Sequence, residues 1–211
     1  MNKTVLTVFG SHESEKIIEK SRFLTYSTHV ESEEEARLFV AEIRAKHPFA
    51  THCCFAFVAD KIGNLQRFSD DGEPQGTAGV PILEVLKNKK LTETAVVVVR
   101  YFGGIKLGAG GLVRAYSSSA SENLAGADIR SLEWCVELCV TASYTGVDSV
   151  QKYLSTHPCS LLSTDYGEKV SFQVAVKAEE KESFEKGLVD YMQGRVEIVA
   201  QKEYYGAFKY E

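Results

Sequence analysis

Apolar and polar positions change their period several times along this 211-residue chain. Residues 5–9 alternate as a short strand does, and residues 13–30 (ESEKIIEKSRFLTYSTHV) read as one or two more. Ser32 then opens a helix. It is a good N-cap, Glu33 to Glu35 suit the positive end of the helix dipole, and Glu35 completes a capping box. Leu38, Phe39, Ile43 and, more loosely, Ala36 form its apolar stripe, and Pro48 stops it.

Residues 51–60 (THCCFAFVAD) are a strand closed by a turn at Gly63-Asn64, with His52, Cys54, Ala56 and Val58 on one face and Cys53, Phe55 and Phe57 on the other. Residues 65–79 have no period and carry three glycines and a proline, the marks of a loop. Pro81 suits the first turn of a helix running to about Lys90. Residues 94–102 are apolar on both faces, the pattern of a strand covered on both sides. Five glycines within nine residues follow, then a helix from about Leu112 to Ala127.

The signals restart around 128–134, which places a domain boundary there, with domains 1–133 and 134–211. Beyond it the periods read strand (135–143), helix (147–156), strand (159–165), a turn at Gly167, strand (170–178), helix (182–192) and strand (196–205). Val147, Val150 and Leu154 share a face of one helix, and Phe184, Leu188 and Met192 a face of the other. That order is the split β-α-β, or ferredoxin-like, pattern. The fold class is therefore α+β in two domains.

Composition narrows the classes. Apolar content of 44% and charged content of 25% are those of an ordinary globular protein, and no apolar run approaches the roughly 18 residues of a membrane span. The N-terminal stretch is charged early and has no signal-like apolar core, so the expected location is the cytoplasm, with no membrane partner. Five cysteines make no C-x-x-C, so reduced, buried thiols are expected rather than zinc; no metal or cofactor is assigned. The net charge of −5 is uneven. Residues 131–211 carry 8 Lys/Arg against 13 Asp/Glu, whereas 87–114 set six cations (Lys87, Lys89, Lys90, Arg100, Lys106, Arg114) against Glu93 alone. Such a patch suits phosphate. The chain as a whole is a poor candidate for tight, non-specific duplex binding, which needs many phosphate contacts.

Two stretches exceed what a minimal core needs. Asp70, Asp71 and Glu73 offer oxygen ligands to a divalent cation, or they fix the loop: Asp70 or Asp71 accepting from backbone amides with Gly72 taking a positive φ, or any of these carboxylates capping the helix that starts near Pro81 or pairing with Arg100 or Lys106. Loop-fixing is the preferred reading. Arg100 shares parity with Val96 and Val98, so its buried guanidinium needs an acidic partner. The turn holding Gly103, Gly104, Gly108, Gly110 and Gly111 lies between strand and helix, where backbone amides can face an anion, and Lys106 and Arg114 add charge; close backbone packing explains the same glycines equally well. His52 beside two thiols invites a catalytic reading, but His52 and Cys53 point to opposite faces, and a satisfied strand histidine is preferred.

Ser69-Asp70-Asp71-Gly72-Glu73-Pro74, Gly76-Thr77-Ala78-Gly79, Arg100-Tyr101-Phe102-Gly103-Gly104-Ile105-Lys106-Leu107-Gly108 and Gly110-Gly111-Leu112-Val113-Arg114-Ala115-Tyr116 resemble the signature of the YigZ/IMPACT family, as do Thr51-His52-Cys53 and Ser21-Arg22-Phe23. The resemblance implies a first domain folded like the second domain of ribosomal small-subunit protein five, and a second domain like the last domain of elongation factor G. Both of those contact RNA on the ribosome. Eukaryotic members regulate translation in amino-acid starvation by competing for the activator of a kinase that phosphorylates an initiation factor. They carry an additional RWD domain; the form resembled here is the bacterial one without it. Some members carry a peptidase label, for which this sequence shows no H-E-x-x-H, nucleophile elbow or paired metal-ligand set.

Two functions are expected on these grounds. The first is a non-enzymatic, translation-linked protein whose cleft, built from residues 70–74, 100–111 and Arg114, holds RNA, the ribosome or another phosphate-bearing ligand, with a translation-regulatory protein as a further possible partner. The alternative is a hydrolase or transferase acting on a small phosphate- or acyl-containing substrate, with His52 as acid or base and Asp71 or Glu73 beside it.

Overall fold

The computed structural model describes residues 5–209; the first four and last two residues, which include the start of the N-terminal stretch discussed above, lie outside them. The chain divides into two compact units, the first reaching Ser131 and the second spanning Leu132–Phe208. Among the described residues two sheets and five α-helices make up the fold, a mixed α and β architecture in two domains. No helix among the described residues is long and apolar enough to cross a membrane.

In the first unit β1 (Val5–Val8) precedes a hairpin of β2 (Ser11–Ile18) and β3 (Ser21–His29), so the stretch 13–30 holds two strands. Helix α1 (Glu33–Lys46) starts where the capping box places it. Ser32 accepts from the Glu35 amide at 3.2 Å, and Glu35 reaches back to the amide of Glu31. The apolar stripe needs one correction: Leu38 is exposed, while Ala36 and Ile43 are buried and Phe39 and Val40 pack beside them. At 3.6 residues per turn Leu38 falls about 200° round from Ala36, on the opposite side of the helix.

Strand β4 (His52–Val58) is followed by β5 (Gln66–Ser69), a strand inside the stretch read as loop. Four residues are too few to show a period, and β5 is held only by pairing with β4, from Phe55↔Ser69 to Val58↔Gln66. Helix α2 (Gly79–Asn88), β6 (Thr94–Tyr101) and α3 (Gly108–Gly126) complete the layer. The sheet order is β2-β3-β6-β4-β5, every neighbouring pair antiparallel, with β6 in the centre. Val96 to Val99 are wholly buried. Val97 and Val99 pack towards α1, while Val96 and Val98 pack towards α2 and α3, so the run apolar on both faces is covered on both faces. Each valine contributes about 2 kcal/mol by burial.

Strand β7 (Ile129–Ala142) leads into the second unit, where α4 (Val147–Thr156), β8 (Ser160–Tyr166), β9 (Val170–Lys177), α5 (Lys181–Tyr191) and β10 (Glu197–Lys209) follow. The strands of this unit are ordered β10-β7-β9-β8 within a five-stranded sheet whose β7 also pairs with β1, and β9 is antiparallel to both its neighbours, which is the split β-α-β arrangement. Val150, Leu154, Phe184 and Leu188 from the helices meet Leu138, Val140, Phe172 and Val174 from the sheet in one apolar core.

Candidate functional site

The acidic loop turns inward. One oxygen of Asp70 accepts from the amides of Ala78 (3.0 Å) and Gly79 (2.8 Å), and the other accepts from Gly76 (2.8 Å). It thereby caps α2, whose own N-cap residue, Ala78, has no side chain able to do so. Burial works against the Asp70 charge, but the amides of Gly76, Gly79 and Ala78 outweigh it and hold the carboxyl below its ordinary value. Asp71 splits its oxygens between the Arg44 guanidinium (2.7 Å) and the Cys53 amide (2.6 Å). Asp71 and Gly72 are both left-handed, at φ 44° and 86°, a bend that Asp tolerates and Gly adopts freely.

Glu73 is buried, and one of its oxygens takes the Arg100 guanidinium (2.6 Å) and the Tyr116 hydroxyl (2.8 Å). Arg100, 4% exposed, also donates to Ser21 Oγ (3.3 Å), which accepts the Gly103 amide as well (3.2 Å). Phe23 and Phe102 each lie 5.4 Å from the guanidinium. The Cys54 thiol sits 3.0 Å from the Asp70 carbonyl oxygen and 3.4 Å from the Tyr116 hydroxyl, and burial pushes it well above an ordinary thiol value, which disfavours the reactive thiolate. Burial likewise holds Cys53 up, at about 11.

His52 donates from Nδ1 to the Asp71 carbonyl (2.9 Å), since a carbonyl can only accept. Its Nε2 lies 3.8 Å from the second oxygen of Glu73, too far for a direct hydrogen bond. The histidine, Asp71 and Glu73 are thus brought together, with both carboxylates already bound to internal donors.

The glycine turn behaves differently. At Gly103 the main chain presses on the Lys20 carbonyl, where a Cβ would come within 2.0 Å of the oxygen, so no other residue fits. After that contact the chain opens. Residues 104–106 are exposed, and no amide from Gly104 to Leu107 donates to a partner among the described residues. Helix α3 begins at Gly108 rather than Leu112, so Gly108, Gly110 and Gly111 form its first turn, where amides have no intrahelical acceptor. Propensity argued against a helix through three glycines; packing of the later turns through Leu112, Tyr116 and Leu124 carries it. Lys106, Gly111 and Arg114 line a cleft of about 530 Å³ together with Lys16 and Glu19 of the β2–β3 hairpin.

This geometry corrects the single cleft expected from the sequence. The carboxylates of residues 70–73 and Arg100 form an internal network, and Arg100 is not among the residues lining the open cleft. Lys106 and Arg114 are exposed there and make no ion pair among the described residues. Sequence reasoning missed Lys16, Glu19, Ser21 and Tyr116. Ser21 and Tyr116 stand inside the resembling segments, but their roles depend on pairings across 79 and 43 residues. Lys16 and Glu19 carried no signal beyond an amphipathic strand.

A model of the Impact N-terminal domain matches residues 19–124, and a domain of unknown function (DUF1949) matches residues 140–195. The chain is 40% identical to the IMPACT family member YvyE of Bacillus subtilis, over 94% of this chain and 91% of that protein. It is 37% identical to the IMPACT family member YigZ of Escherichia coli, over 88% and 92%. A crystal structure of a hypothetical protein superposes with a TM-score of 0.61 at 33% identity, covering 96% of this chain and 99% of that one. With the Impact N-terminal model spanning residues 19–124 and these relatives 37% and 40% identical over most of both chains, the chain belongs to the IMPACT family.

Proposed function

We propose that this protein acts in translation control by binding RNA, free or on the ribosome, through the cleft between the glycine turn and the β2–β3 hairpin. One observation carries the reading. Two exposed cations, Lys106 and Arg114, face one cleft beside main-chain amides that have no partner among the described residues. Phosphate oxygens supply what both lack, and amides next to fixed cations hold phosphate well. The translation link comes from the family resemblance, whose domain relatives contact ribosomal RNA. The acidic second domain serves to orient the complex or to meet a protein partner.

The test is fluorescence anisotropy of a labelled single-stranded RNA across a salt series. Affinity falls with salt, and Lys106→Ala and Arg114→Ala each flatten the log–log slope by about 0.7. Binding indifferent to salt, or no binding to any RNA or to ribosomes, removes the proposal.

A further inference from the structure

Glu19 is out of place in a cleft for anions. The other charged residues lining it are Lys16, Lys106 and Arg114, and Lys16 is already engaged by Glu122 and Ser118. Glu19 is exposed and makes no ion pair or hydrogen bond among the described residues. A carboxylate beside bound phosphate weakens it by like-charge repulsion, and a carboxylate can only accept hydrogen bonds. Its placement is also costly. Glu19 and Lys20 occupy the hairpin tip with φ of 45° and 66°, a conformation costing a non-glycine residue about 1–2 kcal/mol. The tip is not free to swing away, because the Lys20 carbonyl is packed against Gly103 and the Ser21 hydroxyl accepts the Gly103 amide. The hairpin tip is therefore anchored to the start of the glycine turn.

A ligand that satisfies this cleft presents negative charge to Lys106 and Arg114 and a hydrogen-bond donor to Glu19. Ile18, Ile105 and Leu107 supply aliphatic surface between them, and a volume of about 530 Å³ has room for a nucleotide. Resting on the RNA reading above, we infer that Glu19 accepts a hydrogen bond from a ribose hydroxyl, so that the cleft selects RNA over DNA. The 2′-hydroxyl is a donor that DNA lacks, and carboxylates hold ribose hydroxyls in dinucleotide sites in the same way.

The experiment compares binding of single-stranded RNA and DNA of one sequence by the full chain and by its Glu19→Gln and Glu19→Ala variants, each first checked for an unchanged melting temperature. The readout is the RNA-to-DNA affinity ratio, because removing a negative charge raises both affinities together. The native chain prefers RNA by about tenfold or more, the worth of one hydrogen bond to a charged group. Glu19→Gln, which keeps a neutral acceptor, lowers the ratio, and Glu19→Ala brings it close to one. Equal, salt-dependent binding of both strands by the native chain overturns this inference and leaves the RNA-binding reading standing. So does a ratio that survives Glu19→Ala. Failure to bind either strand overturns both.

Discussion

The acidic loop and the glycine turn both look like sites in the sequence, and the fold treats them in opposite ways. Asp70, Asp71 and Glu73 sit where the start of α2, the start of β4 and the end of β6 converge, so donors lie within reach of every carboxylate. The glycine turn follows β6 out of the sheet, and its chain offers amides with few side chains to cover them. Charge density alone does not mark a binding site. What distinguishes the two is whether the surrounding fold supplies partners, and here it supplies them to the loop and withholds them from the turn.

The comparison breaks most easily at Glu73. Glu73→Ala leaves the Arg100 charge buried without its partner, and denaturant unfolding is expected to show a loss of about 3–5 kcal/mol. The double replacement Glu73→Leu with Arg100→Met removes both charges and should recover most of that loss. Instability equal to the sum of the two single changes would mean that the pair does not act as an isolated unit.

Asp70 is a smaller effect with a pH signature. Asp70→Asn leaves one acceptor oxygen where both oxygens of the carboxylate accept amides, so one amide loses its partner at a cost of about 1–2 kcal/mol at neutral pH. The folded carboxyl is held below its unfolded value, so its contribution is complete above about pH 4 and is lost as pH falls through the folded value. Melting curves of native and variant chains should converge on acidification. A gap that stays constant from pH 7 to pH 3 would show that the charge plays no part in the cap.

The smallest expected change sharpens the contrast from the other side. Lys106→Ala and Arg114→Ala, at exposed positions without an ion pair among the described residues, should alter stability by less than about 0.5 kcal/mol. A larger loss in either melting curve would place these cations in the structural network and not in an open cleft.

Legibility followed local chemistry. The capping box at Ser32, the doubly buried strand through Val96–Val99 and the strand–helix order of the second unit are all carried by neighbours in the chain. Arg100's need for an acidic partner was legible too, from its parity with Val96 and Val98. Strand β5 was not, because an edge strand of four residues exists only through its pairing with β4. The start of α3 at Gly108 was missed for a related reason, packing of the later turns overriding a poor local propensity, whereas the outward face of Leu38 follows from the helical period alone.

By itself the amino-acid order determined most of the elements, the fold class and the stretch in which chemistry is concentrated, since period, caps and glycine punctuation act over a few residues. Only the tertiary structure decided which charged groups face each other. Glu73 meets Tyr116 across 43 residues and Gly103 seats on Lys20 across most of the first unit. Hydrogen bonds and ion pairs act over a few ångströms of space, and chain position says little about that distance until the sheet has brought β2, β3, β4 and β6 together.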